Sequence, residues 1–130
     1  MKFSYKLYIQ YTFSVSAGYV NVGVGEYSTR YAFSMSFDLP EYSSVKTYYY
    51  FNGYVDDFLR VHLNGNYILN IQGNPGSEDI YGHWIPNRTY GFSNVYKTGT
   101  NTLNFYLYNE GNNGQLILYS TTVNVEYITK

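Results

Sequence analysis

Cysteine is absent from the 130-residue chain, which excludes disulfides, thiolate nucleophiles and sulfur-ligated metals. The compartment stays open, because a disulfide-free β-domain folds in any redox environment. Charge is scarce as well: Asp, Glu, Lys and Arg make up 13% of the residues, against about 25% in ordinary soluble domains. Eight basic and nine acidic side chains leave a net charge of −1, so there is no electrostatic footprint for a nucleic-acid partner. The two histidines, His62 and His83, form no HxH or HExxH spacing, and zinc chemistry loses its donors. There is no GxSxG, no P-loop and no GxGxxG, and Gly23-Val24-Gly25 lacks the strand-to-helix context that a phosphate-binding loop needs. The composition therefore predicts a protein that is not an enzyme.

Long apolar runs are missing too. No segment reaches bilayer length, and Tyr5, Lys6, Tyr8, Gln10 and Thr12 break the apolar core that a signal peptide would need after Met1-Lys2. The expectation is a chain that reads as mature from Met1, with no signal peptide and no membrane insertion. What the sequence has instead is aromatic surface: 19 tyrosines and 22% aromatic residues. With so little charge, Tyr, Ser, Thr and Asn must cover the exterior. Tyrosine offers a large amphipathic face at low side-chain entropy, which suits strand surfaces, interfaces and sugar stacking.

Period-two alternation fills most of the chain. Over 3–15 the odd positions (Phe3, Tyr5, Leu7, Ile9, Tyr11, Phe13, Val15) are apolar, which predicts a strand with one buried face. Further strands are predicted over 19–24, 30–37, 45–51, 58–63, 67–71, 89–96, 102–108, 115–119 and 121–128. Tyr31, Phe33, Met35 and Phe37 read as one inward set; Leu103, Phe105 and Leu107 as another; Val123, Val125 and Tyr127 as a third. Gly53 is expected to bend the chain, and Asn64-Gly65 predicts a two-residue hairpin turn. The stretch 72–87 holds Gly73, Pro75, Gly76, Gly82 and Pro86, which predicts a long loop; 109–114 predicts a second. No helical period, repeat or linker appears. The expected fold is all-β: a single jelly-roll β-sandwich of about eight to ten antiparallel strands spanning 1–130.

Five pieces carry more than architecture. They are 33–39 (FSMSFDL) with Pro40, 55–65 from Val55-Asp56-Asp57 to Asn64-Gly65, Gly82-His83-Trp84, 99–105 with Gly99 and Asn101, and 109–116 with Asn109, Gly111 and Gly114. In order and spacing this stretch resembles the galactose-binding-like jelly-roll superfamily. The resemblance implies a non-catalytic β-sandwich, often a carbohydrate-binding module or an accessory domain, with ligand loops at one end. It also implies a structural calcium held by carboxylates and backbone carbonyls. Of the available donors Glu26, Asp57, Glu110 and Glu126, the residues placed for it are Asp57 and Glu110.

The candidate contact residues follow from the loops. Trp84, the sole tryptophan, stands in the Gly/Pro-rich stretch with Tyr81 and His83, while Asn112 and Asn113 occupy the second loop. An indole there either stacks on a sugar or a partner, or folds back as a lid over the core. Asp56 and Asp57, as neighbours on a strand edge, are expected to point to opposite faces and to cap a turn. Asn87-Arg88-Thr89 is the sole glycosylation sequon. Two functions fit. The first is a structural surface protein of a virion or extracellular assembly, self-associating or bound to other structural proteins and touching glycan. The alternative is a free-standing carbohydrate-binding module or lectin.

Overall fold

The alternation becomes ten strands and no helix among the described residues. The computed structural model describes residues 9–26, 28–74, 76–80, 82, 84–88, 95–111 and 113–130. The strands are β1 (Gln10–Ala17), β2 (Val20–Gly25), β3 (Thr29–Leu39), β4 (Tyr42–Asp56), β5 (Phe58–Leu63), β6 (Asn66–Gln72), β7 (Asp79–Ile80), β8 (Ile85–Arg88), β9 (Gly99–Tyr108) and β10 (Gly114–Thr129). They form two antiparallel sheets packed as a sandwich. In the first, β10 and β4 pair along nearly their whole lengths. The β1 and β2 strands share the free side of β10, and β7 and β8 share the free side of β4. The second sheet runs β3–β9–β5–β6.

The core lies where the two inner faces meet. Val45, Tyr49, Phe51, Val55, Leu116, Leu118, Val123 and Val125 come from the first sheet; Met35, Phe37, Leu39, Leu59, Val61, Leu63, Leu103, Phe105 and Leu107 come from the second. Each such side chain contributes about 1.5–3 kcal/mol on leaving water. Phe105 is its centre. It stacks on Phe33 of the neighbouring strand at 4.3 Å between centroids and meets Phe51 of the opposite sheet edge-on at 6.1 Å.

Several expectations change for identifiable reasons. The strand expected over 45–51 is the fifteen-residue β4, and it passes straight through Gly53. A Cβ there would lie 2.0 Å from the Ile117 carbonyl oxygen, so glycine admits the neighbouring strand where no side chain would fit. The segments 115–119 and 121–128 are one strand, β10, whose register with β4 slips between Leu118 and Ser120. That bulge moves the inward set from Leu116 and Leu118 to Val123 and Val125. Tyr31 leaves the inward set for the same reason: a slip between Tyr31 and Phe33 turns it outward, 58% exposed. The Asn64-Gly65 hairpin forms, with φ of 50° and 83° at its two central residues. Within 72–87, expected to be irregular, β7 and β8 pair with β4. The strand expected over 89–96 falls mostly outside the described residues, and Val95 and Tyr96 form a bend. The expected first strand begins among undescribed residues; its described part continues as β1 to Ala17.

Candidate functional site

Alternation on β4 sends Thr47, Tyr49 and Phe51 inward and leaves Tyr48 and Tyr50 on the outer face. On the paired strand Val123 and Val125 are buried, so Asn124 and Glu126 emerge on the same outer face, with Asn124 directly opposite Tyr48 and Glu126 opposite Lys46. Immediately before β8 enters the sheet, Trp84 lays its indole over Tyr50, at 5.6 Å between centroids and 53° between planes. It remains 48% exposed. The ring is therefore neither a lid over the core nor part of the sandwich end. Tyr48, Trp84, Asn124 and Glu126 line a shallow open groove of about 340 Å³. A recess of about 30 Å³ beside Glu126, between Lys46 and Gln10, has room for little more than a water.

This groove combines an exposed indole, a phenol, a carboxamide and a carboxylate. Aromatic faces accept the C–H side of a sugar ring, the carboxamide N–H can donate to its hydroxyls, and the carboxylate can accept from them. The site predicted from the loops is divided by the structure. Trp84 lies on the sheet face, whereas exposed Asn113 lies next to Gly114, which pairs with β2 near Asp56. Tyr50 and Asp56 are six strand positions apart, about 20 Å along β4. Tyr81, His83 and Asn112 lie outside the described residues. Tyr48, Tyr50 and Asn124 were missed because each reads in sequence as an ordinary outward strand position, and Glu126 was weighed only as a calcium donor. The available signal was the Tyr48-Tyr49-Tyr50 run, in which a strand must expose the first and third rings.

A second polar site occupies the corner where the chain crosses from β4 to β5. Asp57 belongs to neither strand, so strict alternation does not run through it and the two aspartates do not diverge as expected. Asp56, Asp57 and Glu78 bring carboxylate oxygens within 4.8 Å of one another. Glu78 arrives from the 73–78 loop, which is fastened to β4 by the Val55 amide donating to the Glu78 carbonyl at 3.0 Å. Tyr54 donates its hydroxyl to Glu78 Oε2 at 3.0 Å, a bond that raises its pKa above the ordinary tyrosine value. Asp56 is pushed up to about 6, first by desolvation, then by hydrogen bonding to Asp57 and the negative charge of Glu78. The pair expected to hold calcium is arranged differently. Glu110 reaches Asp57 through its backbone, whose N–H donates to Asp57 Oδ2 at 2.7 Å, and its side chain is exposed. The carboxylates that converge on Asp57 are Asp56 and Glu78, and Glu78 carried no sequence signal. The corner thus joins Glu78 and the Glu110 backbone to the end of β4, and Asp56 there keeps its proton up to about pH 6.

The sequon is engaged as well. Asn87 is part-buried on β8 and donates its Nδ2 to the Ile68 carbonyl at 2.9 Å, tying the two sheets together with the nitrogen that a glycan would use. No helix among the described residues is long and apolar enough to cross a membrane. No family model, curated protein or solved structure matches the chain.

Proposed function

We propose that the chain is a non-catalytic surface domain that works by contact, and that the outer face of its first sheet binds neutral glycan. The observation that carries this reading is Trp84: a half-exposed indole held over Tyr50 at the border of a groove that also presents Tyr48, Asn124 and Glu126. A solvent-facing indole with polar neighbours is the usual makings of a stacking site. The connectivity supports a jelly-roll frame. Taking β1 with β2, and β7 with β8, as single positions, the pairs β1/β2·β10, β3·β9, β4·β7/β8 and β5·β6 nest like a folded hairpin and alternate between the sheets. Such a frame is what the resemblance to the galactose-binding-like superfamily implies, although the proposed contact surface is the sheet face instead of the loop end.

A second reading, a structural protein of a virion or other extracellular assembly, draws on the β1–β2 side of the sandwich. There Tyr19 and Val24 stand 63% and 62% exposed, and Tyr19 leans on equally open Tyr119 at 6.2 Å. An edge with exposed aromatics is a surface on which strands of a second copy can pair. A glycan array run beside light scattering over a range of protein concentrations separates the two. Saturable binding of neutral glycans by a monomer supports the first reading. Concentration-dependent growth in mass without glycan binding refutes it in favour of the second.

A further inference from the structure

The outer face of the second sheet carries a cluster of its own. Ring contacts run across all four strands: Tyr31 with Tyr106 at 6.0 Å, His62 with Tyr106 at 4.9 Å, and His62 with Tyr67 at 5.8 Å. Arg60 lies among them, its guanidinium carbon 3.9 Å from the Tyr108 ring centroid and 5.6 Å from that of Tyr67. Its Nε donates to Asn70 Oδ1 at 3.4 Å. Among the described residues, then, the cation is held by rings and a carboxamide, and its two terminal nitrogens remain available to a ligand. Tyr31 and Tyr67 are 58% and 55% exposed, so the face is open.

We propose that this face is a second binding site, for saccharides that carry a carboxylate, such as uronic or sialic acids. The terminal nitrogens of Arg60 form the planar fork that matches a carboxylate, and stacking on Tyr108 fixes the fork before the ligand arrives. The exposed ring of Tyr67 and the half-buried ring of Tyr106 then lie beside the bound carboxylate, where the C–H face of the sugar can rest. The geometry argues against the other anionic partners. Affinity for a phosphate backbone grows with the number of phosphates neutralised, and one arginine on a chain of net charge −1 neutralises too few. An acidic peptide docks on a free sheet edge or in a groove, whereas Arg60 and the Tyr108 ring it stacks on belong to the two inner strands, β5 and β9. The site does not depend on the Trp84 groove, since the two lie on opposite outer faces of the sandwich.

Calorimetric titration of the full chain with trigalacturonate, its methyl ester and sialyllactose tests the proposal. At least one of the two acidic sugars should bind saturably. If trigalacturonate is that sugar, its uncharged ester should bind at least about tenfold more weakly, as expected for a charge-assisted fork. Arg60→Ala and Arg60→Gln should each weaken acidic-sugar binding at least about tenfold, with melting temperature and near-UV circular dichroism preserved, while Trp84→Ala leaves that binding unchanged. Absence of saturable binding to both acidic probes overturns the proposal. So does equal affinity for trigalacturonate and its ester, parental affinity in Arg60→Gln, or loss of acidic-sugar binding in Trp84→Ala. Neutral-glycan binding lost in Trp84→Ala but kept in Arg60→Gln reports on the first-sheet groove separately.

Discussion

Asp56 shows how a single residue reflects the meeting of three chain segments. Its folded pKa, about 6, lies above the ordinary 3.8, so the folded chain holds this proton more tightly than the unfolded chain does. The resulting stabilisation is fully present below about 3.8 and is lost as pH rises through about 6. Above that pH the ionised carboxylate opposes folding. Asp56→Asn, which stays neutral and can still donate to Asp57 and Glu78, should therefore stabilise the protein near pH 8. After allowance for screening at this partly exposed corner the gain is about 1 kcal/mol. Near pH 4 the gain should shrink, so melting curves of both proteins at the two pH values give the check. An equal gap at both would mean that the corner does not bias the proton. Phe105 makes the opposite case, a residue whose role is packing alone. It is fully buried between Phe33 and Phe51, and Phe105→Ala should cost about 3–5 kcal/mol through lost transfer energy and the cavity. Chemical denaturation showing a loss below about 0.5 kcal/mol would place the ring at the surface.

At the scale of elements, the turn into β9 depends on one buried amide. Asn101 donates to the Lys97 and Gly99 carbonyls at 2.7 and 3.2 Å, and its Oδ1 accepts the Lys97 amide and the Asn64 side chain, both at 2.9 Å. Asn64 in turn accepts the Thr102 amide at 2.9 Å and donates to the Val95 carbonyl. Two turns distant in sequence are thereby locked together. Asn101→Ala would strand several part-buried polar groups, and equilibrium unfolding should register a loss of about 2–4 kcal/mol; a loss within about 0.5 kcal/mol would show the network to be dispensable. Gly99 and Asn101 were legible in sequence as a turn into a core strand, and so were the inward sets of β9 and β10, because alternation survives wherever the pairing is regular. It failed where a bulge intervenes: Tyr31 turns outward, and β10 reads in sequence as two strands. It failed again at β7 and β8, short edge strands whose Pro86 and neighbouring glycines look like loop but which need only one partner, β4. The acidic corner was half legible, since Asp56 and Asp57 are adjacent in the chain but Glu78 is delivered by a loop closure that no local pattern encodes.

At the scale of the molecule, the low charge and abundant tyrosine find their explanation in two aromatic outer faces on opposite sides of one packed core. The face of the first sheet carries Trp84, Tyr48 and Tyr50; the face of the second carries Tyr31, Tyr67 and Tyr106 around Arg60. Inward positions build the sandwich, and the outward positions of the same strands carry the proposed contacts, so that the outer surface can change without disturbing the core. The Trp84 face is proposed to recognise a ligand and not merely to fold. That role is tested most directly by measuring melting temperature and neutral-glycan affinity on the same Trp84→Ala protein. Affinity should fall by at least about 1–2 kcal/mol with the melting temperature essentially unchanged. A protein that melts several degrees lower yet binds glycan as the parent does would contradict it.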